Sequence, residues 1–200
     1  MQIDREQIEV KYKDIIQAAI DIMSSIDDPE HGLGHIYDVV DNIVRIIERL
    51  PDDAENTDSE LDAEMCVVCA YWHDVGRRHK GAGHEVLSAE MLVEVLIDKG
   101  FDENYIEKCK ESIVNHKWDA SKPETFEGVI LREADKLAFI GARRWKECLE
   151  KGYKLVDIVR LLPSLRNEIL RLEITRQLYD IDIVESFKNL YSLWGERNDT

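Results

Sequence analysis

Long apolar runs are missing from this chain of 200 residues: the densest, Met65 to Trp72, is eight residues, too short to cross a bilayer. The amino terminus, MQIDREQIEVKYKD, is charged from its fourth residue and lacks the apolar stretch of a secretory signal, so we read the protein as cytoplasmic. Basic residues are outnumbered, 26 Lys and Arg against 42 Asp and Glu, and the formal charge of −16 argues against DNA or RNA as the main partner. A small anionic substrate drawn in by local bases stays open. Cysteine is sparse: of Cys66, Cys69, Cys109 and Cys148 only the first two have ligand-like spacing. A zinc site would want a second close pair, so we expect four thiols on apolar helix faces. Strand-like alternation, internal repeats and low-complexity segments are absent. Histidine is absent from the last 84 residues: all six lie between His31 and His116.

What remains is helical periodicity. Ile36, Val39, Val40, Ile43, Ile46, Ile47 and Leu50 recur at three and four, one face of a helix beginning near His35. Residues 51–62 (PDDAENTDSELD) are acidic with scattered turn formers and are expected to form a mobile surface loop. The helix from Ala63 to about Val75 is apolar nearly all round, which puts it at the centre of a bundle, with Gly76 as its stop. Amphipathic helices follow from Leu87 to Gly100 and from Tyr105 to Val114. A longer one runs from about Glu127 to Glu150, with Gly141 as a local weakness. The stretch from Leu155 to Trp194 should hold two or three helices broken at Pro163 and around Asp180. With 44% apolar residues the expectation is one all-α domain over residues 1–200, an irregular bundle carrying C-terminal accessory helices over about 153–195. Leu165, Ile169 and Leu172 form a narrow stripe there, suited to covering the core or to a homodimer.

The polar residues that interrupt this pattern are informative. His35 opens one helix, His73 and Asp74 end the most apolar one, and Asp135 has Leu131, Ala138 and Phe139 beside it on a later helix. A buried carboxylate needs a partner. An arginine would serve Asp135, and a single histidine at a helix end is commonly structural. One divalent metal accounts for all four residues together, since two imidazoles and two carboxylates balance its charge and leave positions for water and substrate.

The motifs HGLGH, HDVG and EADK, in that order, are similar to those of the HD-domain superfamily, whose signature is a His, an adjacent His-Asp and a distant Asp on separate helices of an all-α bundle. The match spans about residues 28–144. It implies a metal-dependent phosphohydrolase with His35, His73, Asp74 and Asp135 as metal ligands, close to small phosphohydrolases some of which act on nucleotides. Two departures stand out. Arg77 occupies the place, three after Asp74, where some nucleotidase branches carry an acid. Glu133 stands where relatives often have Asp, and is expected to be a solvated helix residue.

Metal-activated water would hydrolyse a phosphate ester or anhydride, and the developing charge would want fixed cations. Arg77, Lys80, Lys136 and Arg143 are the candidate substrate-binding residues, with Arg78, Lys117 and Arg144 behind them. His84 and His116 lie on inward faces and are candidates for a second metal, a phosphate contact or proton transfer; His31 and His79 are expected to be exposed. Mixed nitrogen and oxygen ligation suits Mn, Fe, Co, Ni or Zn better than Mg. One metal is favoured over two, because the bases from Arg77 to Lys80 place positive charge where a second ion would sit. Two other classes remain: a di-iron oxygenase built on the same ligands, and a non-catalytic nucleotide-binding regulatory module.

Overall fold

In a computed structural model, described here for residues 2–51 and 61–198, every regular element is helical. The acidic segment expected to be a surface loop falls, at residues 52–60, outside the described residues. The first turns, read above only for the absence of a signal, form α1 (Arg5–Lys11) and α2 (Lys13–Met23). Their buried Ile8, Tyr12, Ile15, Ile16, Ala19 and Met23 follow helical spacing and bring both onto the core. Then come α3 (Leu33–Ile47), α4 (Ala63–Trp72), a 3-10 turn at Val75–Arg78, α5 (His84–Asp98), α6 (Glu103–Val114) and α7 (Phe126–Leu137). Aspartates cap three of these helices: Asp4, Asp62 and Asp102 accept from the backbone N–H groups of Gln7, Met65 and Tyr105 at 3.0, 2.8 and 3.0 Å.

All residues of α4 from Met65 to Trp72 are buried, and the helix packs against α2, α3, α5, α6 and α7. An element apolar all round can only be satisfied from every side, which fixes α4 as the axis of the bundle. The four cysteines are all buried and free, and burial pushes the Cys66 thiol well above its usual value, as expected of core thiols rather than ligands.

The long helix expected from Glu127 to Glu150 is two. After α7 a 3-10 turn (Ala138–Ile140) leads to Gly141, whose extended backbone breaks the chain before α8 (Ala142–Glu150). The C-terminal segment has the expected break near Pro163 but none around Asp180. Short α9 (Leu155–Val159) and α10 (Leu162–Ser164) run into a π-turn at Leu165–Ile169, and α11 (Glu173–Asn198) continues unbroken past Asp180. Asp180 projects outward and pairs with Arg166 at 2.6 Å, so it needs no helix break. Leu165 is buried and Ile169 and Leu172 are partly buried against the core, so this stripe covers the bundle.

Glu133 ties these accessory helices to α7. It is buried, not solvated, and its carboxylate accepts from the backbone N–H groups of Arg171 (2.7 Å) and Leu172 (3.3 Å) and from the Thr175 hydroxyl at the start of α11. A carboxylate there also faces the positive end of the α11 dipole. Burial raises its pKa, and these hydrogen bonds oppose the rise.

Gly76 does not act as a left-handed helix stop, since positive φ angles occur, among the described residues, only at Gly83, Gly100 and Gly152. It is glycine because α5 crosses directly above it: a Cβ would lie 2.3 Å from the His84 carbonyl oxygen, and its N–H donates to Ser88 Oγ at 2.8 Å. This contact sets the distance between the end of α4 and the start of α5. Gly76→Ala should therefore destabilise the protein by about 2 kcal/mol or more, read as a shift in the urea midpoint at unchanged slope. A change below about 0.5 kcal/mol would contradict the close-approach role.

Candidate metal centre

Four histidines and two aspartates from five segments meet at one end of α4. His35 comes from the first turn of α3, held there by helix entry through Gly32; His73 and Asp74 come from the C-terminal end of α4. His84 is the first residue of α5, His116 follows α6, and Asp135 lies in the last turns of α7. All six are buried, from 0% exposure for His73 to 7% for Asp135.

The hydrogen bonds fix the imidazole tautomers. The Nδ1–H groups of His73, His84 and His116 donate to the carbonyls of Ala70 (2.7 Å), Gly81 (2.7 Å) and Ile113 (2.6 Å), each three residues earlier. In the neutral ring the Nε2 atom is then a bare lone pair, and all three point at Asp74. His84 Nε2 and His116 Nε2 stand 3.0 and 3.7 Å from Asp74 Oδ1, and His73 Nε2 stands 3.7 Å from Oδ2. His35 Nε2 is 3.8 Å from Asp74 Oδ2 and 3.2 Å from both His73 Nε2 and Asp135 Oδ1.

Acceptors therefore face acceptors in a dry site. Asp74 Oδ1 and His84 Nε2 are buried without a hydrogen-bonding partner, although Arg77 Nε lies 2.8 Å from that carboxylate oxygen. Left so, each costs on the order of 1–3 kcal/mol. A cation among them converts the repulsion into ligation, and the donor set, imidazole nitrogens with carboxylate oxygens, is one a divalent transition metal accepts. Two triads have mutually close ligand atoms: His35 with His73 and Asp135, and His73 with Asp74 and His116. The site thus brings together the four residues expected as ligands and adds His84 and His116 to the same cluster.

Electrostatics agree with this geometry. Burial works to raise the Asp74 carboxyl, and positive charge on the surrounding imidazoles, His73 first, would hold it well below the usual carboxylate range; with the rings neutral, that charge has to come from a cation in the site. Asp135 is likewise held low against burial, by the Lys136 ammonium and by its bond with His35. Burial lowers His35 to about 4 and His116 to about 3, so both rings are neutral at physiological pH and their nitrogens are available as ligands or proton acceptors.

Above the cluster opens a cavity of about 1140 Å³, with His35, Asp74, His116 and Asp135 at its floor. Of the expected substrate-binding residues, Arg77 and Lys136 line it. Arg77 Nε lies 2.8 Å from Asp74 Oδ1, and Lys136 pairs with Asp135. The other two expectations do not match the geometry. Lys80 is exposed and is not in the wall. Arg143 lies across Gly34, where a Cβ would meet its guanidinium at 2.2 Å, and is committed to Asp38 and to Glu147 (2.7 Å). Its neighbour Arg144 takes that place: it is buried, 3.5 Å from Glu30 and over the Phe139 ring at 5.1 Å, and it lines the cavity. His79 is exposed as expected, but His31 is half-buried in the wall, with Nδ1 3.3 Å from Asp28. Trp118, Arg132 and Arg171 also line the cavity; of these, Arg132 had a signal in the sequence, sitting three residues before Asp135 on the same helix face.

The HD domain family model matches residues 32–140. No curated protein sequence matches the chain. Among solved structures, a predicted HD superfamily hydrolase from an uncultured Thermotogales bacterium is similar in fold, with TM-score 0.64 and 23% identity over 91% of this chain and 92% of that one. Bacillus subtilis YpgQ in complex with ADP is similar at TM-score 0.64 and 21% identity over 94% of this chain and 96% of that one.

The lowered histidines predict a pH dependence in chelator-stripped protein. An unfolded histidine protonates near 6.5, whereas folded His35 and His116 do so only near 4 and 3. Between those values the unfolded state holds more protons, so stability falls as pH falls, by up to about 1.4 kcal/mol per unit for each ring. Urea midpoints should drop from pH 6.5 toward pH 4, and a flat profile over that window would contradict the neutral, buried assignment.

Proposed function

The chain belongs to the HD-domain family, and we propose that it is a metal-dependent phosphohydrolase acting on a small phosphate ester or anhydride, with nucleotides as the first substrates to test. The observation that carries this reading is the convergence of imidazole lone pairs on the buried Asp74 carboxylate, at the floor of a cavity whose wall is basic in a chain of net charge −16. The ADP complex of the similarly folded Bacillus subtilis protein supports the nucleotide choice.

His35, His73, Asp74 and Asp135 would hold a divalent transition metal, which when bound polarises a phosphoryl oxygen and makes a bound water more acidic. Around it the chain supplies charge and orientation. Arg77, Lys136 and Arg144 present fixed cations to the oxygens of the phosphate undergoing attack, at the cavity floor beside the buried cluster, where such charges act more strongly than in open water. His116 is neutral, with Nδ1–H locked on the Ile113 carbonyl, so its Nε2 lone pair accepts a hydrogen bond from a water and has no proton to deliver. His84 is held the same way against Gly81 and faces the same carboxylate oxygen. Arg77, close to that oxygen, puts positive charge where a second ion would sit and favours one metal over a dinuclear oxygenase centre.

The test is hydrolysis of nucleoside mono-, di- and triphosphates and of general phosphodiesters by Mn-reconstituted protein and its variants. His73→Ala and Asp74→Ala should each lose about 10³-fold or more in kcat/KM, about 4 kcal/mol of transition-state stabilisation, while the exposed His79→Ala stays within about twofold. A folded Asp74→Ala protein of wild-type activity, or oxygen uptake in place of phosphate release, would overturn the reading.

A further inference from the structure

The cavity wall carries more positive charge than one phosphate needs. Seven of its residues are Lys or Arg against four Asp or Glu. The cations at the floor are each engaged: Arg77 with Asp74, Lys136 with Asp135, Arg144 with Glu30, and Lys117 with Asp119 at 3.7 Å. Three others, Lys122, Arg132 and Arg171, have no carboxylate within ion-pair distance among the described residues.

Arg132 is a built feature of this group. It stands one turn before Asp135 on α7, roughly 4.5 Å back along the helix axis. Its guanidinium is clamped by backbone carbonyls, those of Trp118 and Ser121 (3.1 Å), which fix its position without neutralising it. Burial and the nearby charge of Arg171 disfavour its protonated form, and Glu133 and Asp119 offset this only in part. Glu133 is unavailable to either arginine as an ion-pair partner, because its carboxylate is taken up by the backbone of Arg171 and Leu172 and by Thr175. Two guanidiniums near enough to repel, with the Glu133 charge acting on Arg132 but neither arginine in an ion pair, gain when an anion enters between them, and their planar forks suit bidentate contact with a phosphate.

We propose that Arg132, Arg171 and Lys122 form a second anion-binding subsite in the same cavity, taking a phosphate on the part of the substrate remote from the phosphate that is cleaved. The substrate class is then a small molecule carrying two separate phosphate groups, one over the Asp74 cluster and one against Arg132. This rests on the phosphohydrolase reading of the same cavity.

The probe is inorganic phosphate, titrated calorimetrically into metal-reconstituted protein. Two sites are expected in the wild-type chain. Lys122→Gln/Arg171→Gln, whose side chains are exposed and leave the fold intact, should weaken one of them at least about tenfold and leave the other unchanged. Arg132→Gln should do the same, and Asp74→Asn should weaken only the other site. Two unaltered sites in both arginine variants would overturn the inference. So would a single wild-type site that Asp74→Asn removes, which leaves the phosphohydrolase reading standing. A single site removed only by the arginine variants would retain the subsite and overturn the floor as a phosphate site, and no phosphate binding at all would overturn both.

Discussion

The structure depends on one interaction that protein atoms alone leave unfavourable: the Asp74 carboxylate, buried at the end of α4, faced by histidine lone pairs. Its histidine neighbours cannot donate to it, because the Nδ1–H groups of His73, His84 and His116 are already given to carbonyls three residues back, and Arg77, 2.8 Å from one of its oxygens, is the cation paired with it. The cluster is thus assembled mainly from acceptors, and a set of buried acceptors could hold a cation. The rest of the fold supplies what that requires. The all-round apolar α4 keeps the site dry, α5 is brought close by Gly76, and α7 delivers Asp135 with its ammonium neighbour Lys136.

A second constraint acts one layer out. Glu133, two residues before Asp135, satisfies the start of α11 and the chain just before it, so the same helix that brings Asp135 to the cluster also anchors the outer wall of the cavity. The link explains why accessory helices beyond the motif region bear on the site: Leu161, Leu165 and Arg171 line the cavity together with His35 and Asp135. The wall and the floor are positioned through one carboxylate pair on α7, and movement of α11 would be felt at both.

The helices and the centre of the bundle were legible because apolar spacing at three and four survives in any surroundings, and α4 declared itself by being apolar on every side. The ligand candidates were legible because polar residues interrupted those faces. Other features depend on contacts between segments distant in sequence. Arg143 and Arg144 are adjacent on α8, and only the path of Gly34 under one and Phe139 under the other decides which faces the cavity. Glu133 reads as an ordinary helix residue until α11 is placed against it. The unbroken run of α11 past Asp180 was missed because an outward Asp paired with Arg166 carries no cost that would break a helix. Gly76 was assigned the wrong reason, a helix stop rather than room for α5, since both leave glycine in the sequence.

The most direct test of the central claim is metal binding and stability measured together on the wild-type chain and on Asp74→Asn. Protein purified without chelator should carry about one equivalent of a divalent transition metal by elemental analysis. Removing it should lower the unfolding free energy by about 2.7 kcal/mol relative to protein holding metal at 100-fold above its Kd, and adding it back should restore that loss. Asp74→Asn should show neither the metal nor the metal-dependent change. A wild-type chain that takes up no metal, with the same stability in chelator as in excess Mn or Zn, would contradict the account.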